Sequence, residues 1–480
     1  MTFENFTAIQ SRHRFLQNCA AGVGTAALAH LMGVEGRTAT TKLPNVNPMA
    51  PKEPHFAAQA KSVILLYMSG GVSQLDTFDP KPGLQKWHGK PLPPSLTKDL
   101  KLAFIKPNAK CMASTYQFKK HGQSGMDFSE LVPNLATCAD DLCMIRTMNT
   151  EAFNHDPGVL MLTTGHTQFG RPSLGAWVAY GLGSESQDLP GFVVLGSGKG
   201  PNGGSNIWSN GFLPSVFQGT RFRTTGEPIL YLSNHEGVSR ELQRARLDAV
   251  RQLNEKRYQD TGDLEIAARI NSYELAFRMQ MAAPDLLDFS NEPKHILNSY
   301  GVEKEPTRPY ATNCLLARRM VERGVRFVML THGDWDAHKE IDKNHRENFS
   351  IVDQPTAALI KDLKQRGLLD STLVIWSTEF GRTPMIQLDR DDEGAGRDHH
   401  PDCYCLWMAG GGTKPGTVYG ETDDIGLKTV RDKVHVHDLQ ATVLHNLGFD
   451  HKRLTYRHMG RDFRLTDVGG NVVKPLLRSS

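Results

Sequence analysis

Six short runs of the chain are apolar at nearly every position: Ser62–Met68, Leu142–Met148, Gly191–Gly196, Val325–Leu330, Thr372–Trp376 and Cys403–Ala409. Runs of this length without alternation predict strands buried on both faces, as parallel sheets require. Between them the apolar spacing turns helical, over Leu131–Asp141, Thr312–Arg323 and Thr356–Arg366, the last stopped by Gly367. A more charged helical stretch, Gly237–Ala282, carries Leu242, Leu247, Val250 and Leu253 on one side and reads as an inserted helical pair, within about residues 237–300. Strands alternating with helices predict an α/β fold: a mostly parallel sheet with helices on both faces. Residues 81–125, rich in Pro, Lys and Gly, read as a long loop. Gly198–Gly211 reads as a surface loop able to line a cleft, without the lysine and spacing of a P-loop.

Open sheets of this kind hold their ligands outside the carboxyl ends of the strands. The residues just past each run therefore carry the functional reading. The first run is followed by Ser69-Gly70-Gly71 and then by Asp76 and Asp79, either of which could ligate a metal; Asp79 precedes Pro80, a turn position, which favours Asp76 for chemistry. After the second run, Pro157 suits the first turn of a helix, Asp156 its N-cap and Gly165 its end. His155 then stands at a helix N-terminus, where free N–H groups and the helix dipole favour anions. Past the fourth run come Asp334, Asp336 and His338; an acid and an imidazole two residues apart in extended chain reach out on one face. The fifth run delivers Glu379 and then Arg382, whose guanidinium suits either a phosphate or sulfate oxyanion or a salt bridge. His399 and His400 precede the sixth run, while His435 and His437, near the start of a closing helix with Asp438 by its N-cap, read as structural.

Composition narrows the picture by exclusion. The 480 residues are 39% hydrophobic and 22% charged with a net charge of +3, so nothing points to nucleic acid as a partner. The 7 cysteines form no CxxC, against a zinc-ribbon site, and no GxGxxG follows the first strand, against a dinucleotide enzyme. Ser11-Arg-His-Arg-Phe-Leu-Gln17 precedes a short, mildly apolar run, Cys19–Val34. That is the order of a secretory signal, too short for a membrane span, the other reading being an amphipathic helix. Residues 37–60 read as a linker between a signal segment, 1–36, and a domain at 61–475.

Several of these motifs resemble known ones. Ser11–Gln17 resembles a twin-arginine export signal with His13 in place of the second arginine, which implies a periplasmic or cell-envelope protein that meets the membrane only during export. His155-x-Pro157, followed by Leu162-Thr-Thr-Gly165, resembles the nucleophile segment of sulfatases, with His155 where their Cys or Ser stands. Closer still is the DUF1501 family, exported members of the alkaline phosphatase–sulfatase superfamily. The marks are Asp76-Thr-Phe-Asp-Pro-Lys-Pro82, Trp335-Asp-Ala-His338, Glu379-Phe-Gly-Arg-Thr383 and Asp398-His399. The resemblance implies an alkaline phosphatase-like fold and selects Asp336 with His338, and His399 rather than His400, as metal ligands. Glu379 falls where sulfatases place metal-binding Asp-Asn-Gly or Asp-His-Gly, but the neighbouring Phe380 cannot ligate.

The expected metal set is thus Asp76, Asp336, His338, Glu379 and His399. Oxygen and imidazole donors without thiolate suit zinc, manganese, iron(II), magnesium or calcium, and two imidazoles lean toward a transition metal. The expected activity is metal-dependent hydrolysis of a phosphate or sulfate ester, of a small molecule or a glycan, with water as the attacking group. His155 and Arg382 are the candidate catalytic residues, His155 as acid or base, transient phosphoryl acceptor or further ligand. The alternative is a non-catalytic binding or accessory protein on a degenerate sulfatase-like scaffold, favoured by the missing nucleophile and by Phe380.

Overall fold

The computed structural model describes residues 47–97, 104–223, 229, 233, 234, 236–387 and 394–478. The expected signal segment and residues 37–46 of the linker lie outside the described residues.

The apolar runs form the strands they predict. In chain order the main ones are β1 (Ser62–Met68), β2 (Leu142–Asn149), β3 (Phe192–Ser197), β4 (Thr220–Arg221), β5 (Phe327–His332) and β6 (Thr372–Ser377). A two-stranded ribbon, β7 (Gly381–Ile386) and β8 (Arg397–His400), then leaves the sheet, and the chain returns as β9 (Tyr404–Ala409), β10 (Thr417–Tyr419) and β11 (Val434–His435). Nine strands make one sheet in the order β10-β2-β9-β6-β1-β5-β3-β4, with β11 also beside β2. Only β9 runs antiparallel to its neighbours β2 and β6; the other pairings in the sheet are parallel.

The main helices are α1 (His155–Thr164), α2 (Leu174–Leu182), α3 (Arg240–Thr261), α4 (Leu264–Leu287), α5 (Arg308–Glu322), α6 (Ile341–Gln365) and α7 (Val436–Asn446). Successive residues of a strand face opposite sides, and both sides of this sheet are covered. Ile64, Leu66, Leu330, Val374 and Trp376 pack with α5 and α6. Val63, Leu65, Tyr67, Met329 and Ile375 pack with α1, α2 and α7. This two-sided burial explains the unbroken apolar runs, each large aliphatic side chain contributing roughly 1.5–3 kcal/mol.

Three helical expectations shift. α6 begins at Ile341, well before Thr356, because Pro355 lies inside it while Ile341, His345, Phe349 and Val352 keep a buried helical face. α5 begins at Arg308, with Pro309 in its first turn. The helix expected over Leu131–Asp141 is a 3₁₀ segment, Leu135–Asp141. The inserted pair is α3 and α4, joined through Gly262 in the left-handed region (φ 67°). Among the described residues, six cysteines are free and buried, and no helix is long and apolar enough to cross a membrane.

Candidate metal centre

β6, β1 and β5 are neighbours in the sheet, and their carboxyl ends meet at one edge. Gly70, just past β1, has φ +128°, and a Cβ there would lie 2.5 Å from the amide nitrogen of Asp336. Only glycine lets the segment after β5 cross so closely. Gly70 N–H donates to Glu379 Oε1 at 2.9 Å, and Trp335 N–H to Ser69 O at 3.2 Å, so the three strand ends are tied together. Asp334 adopts φ +84°, a costly conformation for a residue with a side chain. It is held because Asn344 and Asn348, both on α6, donate to its carbonyl at 2.7 and 3.0 Å. The turn that results presents Asp336.

β2 leads into α1, whose first residue is His155. Asn154 occupies the N-cap position expected for Asp156, and Gly165 ends the helix in the left-handed region as its sequence predicts. The Asp156 carboxylate accepts instead from Gly203 N–H (2.8 Å), and Ser69 Oγ accepts from Asn202 N–H (3.2 Å), which draws the Gly/Asn-rich loop to the edge of the site. His399 lies on β8, opposite Arg382 on β7.

Four side chains converge. His155, Asp336, His338 and His399 each offer a ligand atom, all within 4.8 Å of one another. The three imidazoles point Nε2 at Asp336: His338 at 2.8 Å and His399 at 3.4 Å from Oδ1, His155 at 3.2 Å from Oδ2. Each turns Nδ1 outward to a different acceptor: Glu379 Oε1 for His155 (2.7 Å), the Phe153 carbonyl for His399 (2.7 Å), and Gln387 Oε1 for His338. An outward N–H bond of this kind fixes the tautomer and leaves the Nε2 lone pair facing inward, as metal-ligating histidines are held.

The charges are strongly coupled. Burial works against an ionised Asp336, yet the three histidines and Arg382 hold it far below the usual carboxylate range. Burial also opposes a charged His155, but its contacts with Asp336 and Glu379 carry it up to about 9. Glu379 is lowered despite complete burial, chiefly through His155. His399 is pushed down, first by burial.

Not every expected residue joins the centre. Asp76 does not: its buried carboxylate is taken by Arg397, Nε to Oδ2 at 2.8 Å and Nη2 to Oδ1 at 3.2 Å, with Ser73 Oγ donating at 2.6 Å. Its place is structural. Asp79 pairs with Lys81 at 3.1 Å, in keeping with its turn reading. Arg382, expected to reach a substrate oxyanion, is fully buried. It donates to the carbonyls of Gly70, of Gly71 (2.7 Å) and of Arg397 (3.0 Å), and to Asp336 Oδ1 (2.7 Å), so it braces the site from beneath. Glu379 sits one layer out from the four converging side chains, bonded to His155, Gly70 N–H and the Tyr67 hydroxyl (2.9 Å). His155, one of whose readings was a further ligand, is in the group. His435 caps α7, as its structural reading predicts.

Sequence reasoning did not single out Arg397, Gln387 or Asp398. Asp398 is fully buried; its Oδ1 accepts from His399 N–H (2.8 Å) and its Oδ2 from Phe104 N–H (2.8 Å) and Ile105 N–H (3.2 Å). The Asp-His pair was its only signal, and that pair was read for the histidine.

The donors fit the ion that the resemblance implied. His155 Nε2 is buried near Asp336 but not aligned with it for a hydrogen bond, so it has no bonded partner. Buried polar atoms are seldom left that way. Three imidazoles and one carboxylate form a borderline donor set that suits a divalent ion such as zinc, manganese or iron(II).

Fold and site together define an α/β protein with a group of side chains able to hold a metal ion at the carboxyl edge of its sheet. The chain belongs to the family described as "Protein of unknown function (DUF1501)", which it matches over residues 60–477. No curated protein matches its sequence. Three solved structures show the kind of likeness found. TAB5 alkaline phosphatase, as a mutant with Mg bound, is 12% identical, covering 74% of this chain and 92% of that one, with a TM-score of 0.31. The lipoteichoic acid synthase LtaP from Listeria monocytogenes is 10% identical, covering 91% and 80%, with a TM-score of 0.32. The PsFucS1 sulfatase from Pseudoalteromonas sp. is 12% identical, covering 89% and 71%, with a TM-score of 0.34. Scores this low license no transfer of residue roles.

Proposed function

We propose that the protein is a metal-dependent hydrolase of phosphate or sulfate esters in which His155, Asp336, His338 and His399 hold one divalent ion. The observation that carries this reading is the inward convergence of three Nε2 atoms on Asp336, with every Nδ1 engaged outside. A bound ion would supply charge neutralisation at the ester oxygens and a more acidic water. Glu379 keeps the proton on His155 Nδ1 and fixes the ring. Arg382 neutralises Asp336 from beneath and closes that side to solvent. Nearby hydroxyls are engaged: Thr378 Oγ1 with Gly71 N–H and Val72 N–H, Thr163 Oγ1 with the Val159 carbonyl. With no Ser, Thr or Cys at the start of α1, water is the nucleophile. The ester class rests on the resemblance of residues 155–165 to the sulfatase segment. The same reading takes residues 1–36 as a twin-arginine-type signal, 37–60 as linker and 61–475 as the working domain of an exported protein acting on a small-molecule or glycan ester.

The second reading, a binding or accessory protein, has one observation in its favour. Arg382 already balances Asp336 at 2.7 Å, so the centre is neutralised in part without an ion. Elemental analysis of the purified protein beside Asp336→Ala/His338→Ala separates the two, followed by a screen of phosphate and sulfate esters with and without chelator. One ion per chain, lost in the variant, with chelator-sensitive turnover is the expected result. Stoichiometric metal without turnover of any ester leaves the binding protein; a folded protein without metal overturns the centre.

A further inference from the structure

The centre opens to solvent on the side of Asp336 and His338, whose side chains are 42% and 26% exposed. Beside that opening stands Phe104, 59% exposed, its ring edge-on to His399 (5.7 Å between centroids) and His338 (6.1 Å). Single exposed apolar residues need no explanation. This one is built in. A fully buried carboxylate, Asp398, takes the N–H groups of Phe104 and Ile105 with one oxygen and the N–H of His399 with the other. Burying a carboxylate is costly unless its hydrogen bonds are satisfied. Here the satisfied bonds set one exposed phenylalanine against a metal-ligating imidazole. A second phenylalanine, Phe153, 44% exposed, is tied to the same histidine through its carbonyl. His399 is thus tied directly to the Phe153 carbonyl and, through Asp398, to the Phe104 N–H, and both rings are left to solvent.

From this arrangement we infer that the site takes esters whose uncharged part is an aromatic ring, which lies against Phe104 while the anionic head faces His155, His338 and His399. The inference rests on the metal-centre reading and names its substrate class. An apolar wall beside a few convergent polar groups is the usual make-up of a small-molecule site, and aromatic rings favour one another edge-on or offset. Both phenylalanines hold their places through backbone atoms, so substituting their side chains spares the bonds to Asp398 and His399.

The test is calorimetric. Phenylphosphonate and methylphosphonate, non-hydrolysable anions differing in the ring, are titrated into the metal-loaded full chain at a pH where both are dianions. Wild type should bind the phenyl compound about tenfold more tightly, a preference falling to about threefold or less in Phe104→Ala and less steeply in Phe153→Ala. Phe104→Leu, which keeps apolar bulk without the ring, should fall between. Phe169→Ala, an equally exposed phenylalanine past the far end of α1, a helix about 15 Å long, should leave the preference intact. Equal binding of the two compounds by wild type, a preference that survives in Phe104→Ala, or no binding of either would overturn the inference while stoichiometric metal keeps the centre standing. Failure to take up metal would overturn both.

Discussion

Asp76 and Asp336 invite comparison. Both follow a strand of the same sheet, and β1 and β5, which deliver them, are adjacent. Asp76 is closed in: its side chain is 4% exposed and a guanidinium takes both oxygens. Asp336 is open, 42% exposed, and its oxygens collect three imidazoles and one guanidinium. The histidines follow the same division. In the closed layer, His345 accepts from Ser73 N–H through Nε2 (3.0 Å), and His332 is bonded by Ser197 Oγ and Asn348 Oδ1 (2.9 and 3.1 Å). Burial pushes both down to about 4. In the open layer, His155 touches two carboxylates and is carried up to about 9. A residue's type and its place past a strand thus do not settle its role; the partner it meets does. A buried acid satisfied by arginine is architecture, and a half-open acid ringed by imidazoles is a candidate site.

The comparison breaks most visibly under substitution. Asp76→Ala leaves Arg397 buried and unpaired and should cost about 3–5 kcal/mol of stability. Asp336→Asn should cost less than about 2 kcal/mol, since Arg382 keeps three carbonyl acceptors, yet it should abolish metal uptake. Denaturant unfolding in chelator, with metal analysis beside it, checks both. Equal stability losses would erase the distinction between the layers.

Acid should attack the closed layer next. An unfolded histidine takes its proton near pH 6.5, whereas folded His332 and His345 refuse it until about 4. The unfolded state therefore binds more protons in that interval, so stability is complete above 6.5 and is lost as pH falls toward 4, by up to about 3 kcal/mol for each histidine. In unfolding free energies measured across this range, these two histidines should together contribute close to two protons to the slope at pH 5, and His345→Gln should remove one. A profile flat from pH 7 to 4 would show that these rings are not held neutral.

Much of this was legible in advance. The six apolar runs predicted the strands because burial on both faces leaves no alternation to misread. Gly165 predicted the end of α1, and with it the placing of His155 at a helix start. What was not legible depends on partners distant in sequence. Nothing near Asp76 announces Arg397, and nothing near Arg382 announces the Gly70 and Gly71 carbonyls that bury it. The ribbon of β7 and β8 was missed because its residues are mostly polar and it stands apart from the main sheet. Asp334, held at positive φ by two asparagines of α6, shows the same limit: the turn that aims Asp336 is enforced from a helix whose start the sequence hid behind Pro355.

Within the open layer, the outer acceptors of the three histidines sharpen the comparison further. Glu379 is a fully buried carboxylate that nothing can replace, so Glu379→Gln, which weakens the acceptor of His155 without changing its shape, should lower metal affinity about 100-fold. Gln387 is a neutral amide, half-buried at the end of β7, on the Nδ1 of His338. Water can take its place in Gln387→Ala, so the loss there should be nearer tenfold. Gln387→Glu, which makes the acceptor stronger, should recover or exceed wild-type affinity, because a more basic imidazole binds a cation better. Competition against a chelator of known affinity ranks all three variants in one series. If Gln387→Ala costs as much as Glu379→Gln, the acceptors are not graded by burial and charge, and His155 holds no special place among the three histidines.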